Sequence, residues 1–221
     1  FKIGSGECNN YPLVDYIASF GKPIIISTGM NDINSIKKAV KILKKRKVQH
    51  AILHTTNLYP TRHDQVRLNA LLELKKKFPN TVLGLSDHTG DNYTSYASIA
   101  LGASIIEKHF IDNNSRKGPD ISASVNTKQM IDLIKGVNLI HKAIPGGIKP
   151  IPREKKTANF AFASVVANHD LKKGTILDQN NIWVRRPGNG DFSALEYYSL
   201  IGKKIKSKVK KNTQIKKTHF N

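Results

Sequence analysis

Five short apolar runs alternate with five helix-patterned stretches along the first two thirds of the chain. Repeated strand and helix signals with short loops predict parallel strands joined by helical crossovers, so the expected class is α/β. The apolar runs are Phe1–Ile3, Pro23–Ser27, Ala51–His54, Thr81–Leu85 and Ala103–Ile106. The helix-patterned stretches are Tyr11–Ser19, Asp32–Lys45, Val66–Lys77, Tyr93–Leu101 and Thr127–Ala143.

This repeat predicts an incomplete barrel. A (β/α)8 TIM barrel needs eight βα units to close, and the pattern contains five. Phe1 already lies in an apolar, strand-like run, so we expect that the chain is cut from a longer one and that three units precede it. The predicted fold is therefore a partial TIM barrel made of its last five βα units, with an open five-stranded sheet as the alternative.

The composition of the chain changes after Ala143. Proline and glycine crowd residues 144–152, which is typical of a linker. Short β-type runs follow at Ala163–Val166, Ile182–Val184 and Ile205–Val209. We therefore divide the chain into the barrel part at residues 1–143, a linker at 144–158 and a small β-rich domain at 159–221.

The chain is strongly basic, with 36 Lys and Arg against 16 Asp and Glu and a formal net charge of +20. Such a balance can mark a nucleic-acid-binding module. The lysine runs that precede Lys203, however, lie on helix-patterned stretches, and no aromatic residues are interleaved with them for base stacking. They therefore predict solvated helix faces, and we expect no nucleic-acid partner.

The number of cysteines and the hydropathy of the chain indicate in which cellular compartment the protein is expected. Cys8 is the single cysteine, so an intramolecular disulfide is impossible. No apolar stretch approaches the ~18 residues of a membrane helix. We expect a cytoplasmic protein with no membrane partner.

Each of the five apolar runs closes in small polar, ionisable or glycine residues. Ligands of barrels and of open α/β sheets bind at the carboxyl ends of the strands, so the five endings together predict one shared pocket. Any one ending alone is more typical of a turn or helix cap. The endings are Gly4–Glu7, Ser27–Gly29, Thr55–Asn57, Ser86–His88 and Glu107–His109.

Two histidines, His88 and His109, lie one βα unit apart, each at the end of its run. Because neighbouring strands are about 4.8 Å apart, both imidazoles can reach a common point. Two histidines with open positions suit a divalent transition metal, although structural hydrogen bonding is an equal alternative on spacing alone. His54 lies inside its run and is predicted to be a core residue.

A cation and several hydroxyl and amide groups share the same strand ends. This set suits a phosphate or carboxylate ligand. Arg186 stands in a turn-rich segment of the second domain, where an arginine is usually solvated. The anion-binding set is Lys2, Ser5, Ser27, Asn57 and Ser86.

Several ordered segments resemble the bacterial N-acetylneuraminate (sialic acid) synthases. In chain order they are KIGSGECNNYPL, PIIISTGM, HTTNLYPT, GLSDHT, IIEKHF and RKGPDISASV. The later segments NFAFASVVA, IWVRRPGNGDF and QIKKT resemble the antifreeze-like (SAF) domain that follows the barrel in that family.

The resemblance implies a metal-dependent condensation of phosphoenolpyruvate with N-acetylmannosamine that yields N-acetylneuraminate and phosphate. His88 and His109 would be the ligands of Mn²⁺, with Mg²⁺ or Co²⁺ as alternatives, and Glu107 and Lys2 would be catalytic. Phosphoenolpyruvate would bind Lys2, Ser5, Ser27, Asn57 and Ser86, and the sugar would contact Tyr59 and Asp120. Phe160 and Arg186 would reach the site of a partner subunit in a domain-swapped homodimer.

Two other functions remain as alternatives, and the resemblance also leads to an expectation about the activity of this polypeptide on its own. The nearest alternative is a synthase of another nonulosonic acid, legionaminic or pseudaminic acid, and a distant one is a nucleic-acid-binding module. The first three βα units of the family, with their own site residues, are not represented in the chain. We therefore expect this polypeptide alone to be inactive.

Overall fold

The computed structural model describes residues 1–113 and 115–221. The chain forms two compact units, Phe1–Pro145 and Gly146–Asn221. Among the residues described, no helix combines the length and the apolar character that crossing a membrane requires.

The first unit is a half-barrel of six parallel strands that neighbour one another in chain order. The partial-barrel prediction is confirmed. The sixth strand was not predicted, because its two residues are too short to give an apolar run. The strands are β1 (Lys2–Ile3), β2 (Ile24–Ser27), β3 (His50–Thr55), β4 (Val82–Asp87), β5 (Ile105–Phe110) and β6 (Ser124–Val125).

Among the described residues of the first unit, four α-helices connect the strands from β1 to β5, and a fifth follows β6. The second helix, Ile33–Lys45, illustrates why these helices form. The Asp32 carboxylate caps its N-terminus by accepting a hydrogen bond from Ser35 N at 2.7 Å. Its apolar residues Ile36, Val40 and Leu43 recur at helical spacing and are buried. Its lysines lie on the opposite, solvated face, as predicted. The helices are α1 (Tyr11–Ser19), α2 (Ile33–Lys45), α3 (Asn69–Lys77), α4 (Tyr93–Ala100) and α5 (Thr127–Ala143).

Side-chain alternation along the strands separates a core face of the sheet from a site face. Ile26 of β2 is paired with Ile52 of β3, and both are fully buried in a cluster that includes Val14 of α1 and Leu43 of α2. His54 is two residues beyond Ile52 and shares that core face; it is 5% exposed, which confirms it as a core residue. The opposite face is therefore free to carry polar groups.

The second unit has a small core around one antiparallel pair, β7 (Ser164–Ala167) and β8 (Ile182–Arg185). The third β-type run, Ile205–Val209, is not a regular strand; its end makes one isolated bridge, Val209 to Leu171. The predicted linker is partly helical, since α6 (Lys155–Ala161) begins inside it. A short helix, α7 (Tyr197–Leu200), completes the unit.

Candidate metal and anion site

The parallel register places the predicted site residues on one face of the half-barrel. Ser27 is paired with Leu53, and two residues further Thr55 is paired with Ser86, which in turn is paired with Glu107. Since side chains two residues apart on a strand share a face, residues 27, 86, 107 and 109 face the same side. Lys2 joins them, because its partner Ile25 lies two residues before Ser27.

His88 is held in a fixed orientation. Its Nδ1 lies 2.9 Å from the Thr56 carbonyl oxygen, which can only accept, so Nδ1 carries the proton and Nε2 keeps its lone pair. Burial lowers the pKa of His88 below its ordinary value, so the ring is neutral near pH 7. A neutral ring whose second nitrogen donates to a carbonyl is the usual state of a metal-ligating histidine.

His109 and Tyr59 complete an aromatic cluster around His88. The centroids of the His88 and His109 rings are 5.2 Å apart, and Tyr59 stacks on His88 at 4.1 Å while meeting His109 edge-on at 5.5 Å. Asp120 approaches from the loop before β6, with its Oδ2 3.8 Å from His109 Nδ1. Burial raises the pKa of Tyr59, and the negative charges of Asp120 and Glu107 raise it further, so the phenol stays protonated.

The donor set of this cluster fits a transition metal with open coordination positions. Two imidazoles on adjacent strands are ligands for a divalent transition metal. Within residues 1–113 and 115–221, no group of three or more His, Cys, Asp or Glu side chains is arranged to hold a metal. A metal at His88 and His109 would therefore keep its remaining positions for water or substrate.

Glu107 links the cation of the site to a hydroxyl. Its Oε1 accepts from Lys2 Nζ at 3.0 Å and from Ser86 Oγ at 2.7 Å. The Lys2 and Glu107 side chains are 36% and 40% exposed, so the pair is accessible to a ligand. The contact orients the ammonium of Lys2 without removing it from solvent.

We call the predicted set Lys2, Ser5, Ser27, Asn57 and Ser86 the anion pocket. Ser27 Oγ and Asn57 Oδ1 are buried, and within the described part of the chain neither has a hydrogen-bond partner. Ser5 Oγ accepts from Gly29 N at 3.0 Å. Buried polar groups nearly always have a partner, so a ligand or water bound here would satisfy these two atoms.

Sequence reasoning missed two features of this site and misplaced a third. Thr56, whose carbonyl orients His88, and Gly29, whose amide binds Ser5, were not singled out. Asp87 and Lys108 were grouped with the pocket, but they form a buried ion pair on the core face of the sheet. The two-residue repeat of a strand predicts this, because Asp87 alternates with Ser86 and His88.

Phe160 and Arg186 lie in the second unit, on neighbouring segments. Phe160 is the penultimate residue of α6 and is 70% exposed. Gly188, two residues after Arg186, donates its amide to the carbonyl of Asn159 at 2.8 Å. This bond brings the arginine-bearing loop beside the helix that presents the phenyl ring.

The sequence and the fold match a known family. The NeuB family matches residues 1–149 and the SAF domain matches residues 162–221. Because the first match covers more than half of the sequence, this chain belongs to the NeuB family and carries a SAF domain. The family includes sialic, legionaminic and pseudaminic acid synthases.

Two curated relatives and one solved structure illustrate the similarity. The N,N'-diacetyllegionaminic acid synthase of Campylobacter jejuni is 40% identical over 92% of this chain and 61% of its own length. The N-acetylneuraminate-9-phosphate synthase of Homo sapiens is 32% identical over 93% of this chain and 57% of its own length. The crystal structure of N-acetylneuraminic acid (sialic acid) synthetase from Leptospira borgpetersenii superimposes with a TM-score of 0.67 at 30% identity, covering 71% of this chain and 55% of that one. The chain thus spans about 60% of the length of these curated relatives.

Proposed function

We propose that this chain supplies the carboxyl-terminal part of a synthase that condenses phosphoenolpyruvate with N-acetylmannosamine to give N-acetylneuraminate and phosphate. The observation that carries the proposal is that the His88–His109 pair lies on the same face of the half-barrel as Lys2, Ser27 and Ser86 of the proposed anion pocket. Among the residues described, the buried oxygens of Ser27 and Asn57 have no hydrogen-bond partner. Metal ligands beside an anion pocket suit a reaction between an aldehyde and a phosphorylated enol.

His88 and His109 would hold the metal, with Mn²⁺ as the ion we propose. When bound, the ion would supply Lewis-acid polarisation of the sugar's aldehyde oxygen. Thr56 keeps His88 in the required tautomer, and burial keeps it unprotonated. Tyr59 packs against both rings and limits their rotation.

The anion pocket would bind and orient phosphoenolpyruvate. Lys2 supplies the positive charge, the Ser27 hydroxyl has a hydrogen free to donate to a ligand oxygen, and the Asn57 side chain would donate through its Nδ2. C3 of the enol then attacks the aldehyde carbon, and the aldehyde oxygen takes up a proton and becomes a hydroxyl. Water adds at C2, and phosphate leaves as its C2–O bond breaks, taking the proton of the new C2 hydroxyl while that hydroxyl becomes the keto oxygen. The Glu107 carboxylate, already an acceptor for Lys2 and Ser86, takes the proton that the added water releases.

The sugar would lie beside the aromatic cluster. Tyr59 is 46% exposed and combines an apolar ring with a protonated hydroxyl, and Asp120 offers a carboxylate to sugar hydroxyls. A second candidate is the sugar precursor of N,N'-diacetyllegionaminic acid. It is favoured by the 40% identity to the Campylobacter jejuni enzyme, against 32% to the human one.

We also propose that two copies of the chain exchange their second units. Phe160 and Arg186 are exposed and lie on joined segments, as expected for side chains that complete a neighbouring site. Light scattering after gel filtration tests this, since a dimer is expected. In the full-length gene product, the double variant Phe160→Ala/Arg186→Ala should raise the KM for the sugar without changing the oligomeric state.

Calorimetric titration with phosphoenolpyruvate in the presence of Mn²⁺ tests the anion pocket in this chain. Binding by the wild type and a loss of about tenfold or more in Ser27→Ala/Asn57→Ala are expected, since each removes a hydrogen bond to a charged ligand. Equal affinities would contradict the assignment. Phosphate release by the full-length gene product with a panel of N-acetylated hexosamines then separates the two sugars, whereas the 221-residue polypeptide alone should release none.

A further inference from the structure

Asp87 at the end of β4 and Lys108 of β5 form a buried ion pair, and the residues on either side of each face the site. Ser86 bonds Glu107 and His88 contacts His109 on the site face, whereas Asp87 and Lys108 meet on the core face. The distance from Lys108 Nζ to Asp87 Oδ2 is 3.1 Å, and their side chains are 2% and 0% exposed. No ligand of the site can therefore touch this pair.

The hydrogen-bond partners of the pair come from helix α4 and from the turn after His88. Asp87 Oδ2 accepts from Thr94 Oγ1 at 2.7 Å and from Ser95 Oγ at 2.6 Å, both on α4. Asp87 Oδ1 accepts from the Thr89 amide at 2.9 Å, and Lys108 donates to the Thr89 carbonyl at 2.6 Å. The network ties β4, β5, α4 and the turn after His88 into one unit.

Stability does not account for such a pair. Replacing a buried ion pair by apolar side chains of similar volume is often neutral or stabilising, so the stability of the fold alone does not explain the pair. Asp87 directly precedes His88, and Lys108 directly precedes His109. Fixing the first two side chains therefore fixes the backbone from which both imidazoles project.

We propose that Asp87 and Lys108 are positioning residues that set the separation and orientation of His88 and His109 for metal binding. The inference rests on the proposed metal site. The role proposed for the ion pair differs from that of Thr56. The Thr56 carbonyl orients the His88 ring alone, whereas the ion pair couples β4 and β5, which lead to both rings.

Mn²⁺ titration of the purified chain, with Co²⁺ absorption spectra as a second readout, tests this role. Asp87→Asn keeps the shape of the side chain and removes its charge, and Lys108→Met removes the cation. Each should weaken Mn²⁺ binding about 10- to 100-fold, as losses of supporting residues around metals do, and should alter the Co²⁺ spectrum. The control, Leu43→Ala, empties a fully buried site on α2 and should lower the melting temperature while leaving metal affinity within about twofold.

The outcomes separate the two proposals. If the wild type does not bind Mn²⁺, or if His88→Ala binds as tightly, the metal site itself is wrong. If the wild type binds and the folded ion-pair variants bind within twofold of it, or if Leu43→Ala weakens binding as much as they do, the positioning role is overturned. Should Asp87→Asn and Lys108→Met not fold, Thr94→Val/Ser95→Ala decides: it removes two donors to Asp87 and should still weaken Mn²⁺ binding at least threefold.

Discussion

The substitution Gly29→Ala should close the anion pocket while leaving the half-barrel folded. A Cβ built at Gly29 would lie 2.8 Å from the Asn57 amide carbon, closer still to Asn57 Oδ1, and 3.0 Å from Ser5 Oγ. Real Cβ atoms do not approach other atoms so closely, so the Asn57 side chain has to turn away. The backbone can stay in place, because Gly29 is not among the residues with a left-handed φ.

The expected loss follows from the hydrogen bond that Asn57 would donate to an anion through its Nδ2. A hydrogen bond to a charged group contributes about 1.5–3 kcal/mol. Since about 1.4 kcal/mol is a factor of ten, the Kd for phosphoenolpyruvate should rise about 10- to 150-fold. Stability should change little, because alanine restricts the unfolded chain and offsets part of the local crowding.

Calorimetric titration with phosphoenolpyruvate and Mn²⁺ measures this loss, and thermal unfolding checks the fold. Gly147→Ala is the matched control, since a Cβ there meets no atom within 4 Å and its affinity should equal that of the wild type. A Gly29→Ala variant that is folded and binds phosphoenolpyruvate within twofold of the wild type would refute the reasoning.

Three further outcomes are expected. Lys2→Met should weaken phosphoenolpyruvate binding about tenfold or more while Mn²⁺ affinity stays unchanged, because the ammonium faces the anion pocket; equal losses of both would contradict this. Leu43→Ala should lower the free energy of unfolding by about 2–5 kcal/mol in denaturant titrations, since the side chain is fully buried, and a loss below about 1 kcal/mol would argue against that packing. Burial lowers the pKa of His54 in the folded chain. Below about pH 6.5 the unfolded chain therefore binds a proton at His54 more readily than the folded chain does, and the free energy of unfolding decreases as the pH is lowered. His54→Gln keeps the donor to Val66 and should reduce that fall between pH 7.5 and 5.5; an unchanged slope would exclude His54 as a source.

Much of the half-barrel and the site face was predictable because both depend on local patterns. Apolar runs that alternate with helical spacing identified five strands, and the polar residues at their ends identified one pocket. His88 and His109 meet as expected, since residues at equivalent strand ends are neighbours in a parallel sheet. Their roles as ligands, like those of the anion pocket, stay predictions.

What sequence reasoning missed depends on contacts between distant segments. β6 has only two residues, Ser124 and Val125, and is a strand only because it pairs with β5. The close approach of Gly29 to Asn57 depends on how two loops pack, which no local pattern encodes. Asp87 was different: strict alternation along β4 would have assigned it to the core face, but its position among polar neighbours suggested the pocket instead.

Anomalous diffraction from crystals grown with Mn²⁺ and phosphoenolpyruvate would test most directly whether two adjacent strands form one metal site. We expect a single strong peak within bonding distance of both His88 and His109, with Nε2 as the ligand atom of His88. A map at saturating Mn²⁺ with no peak between these imidazoles, or with the ion bound elsewhere, would contradict the proposed chemistry.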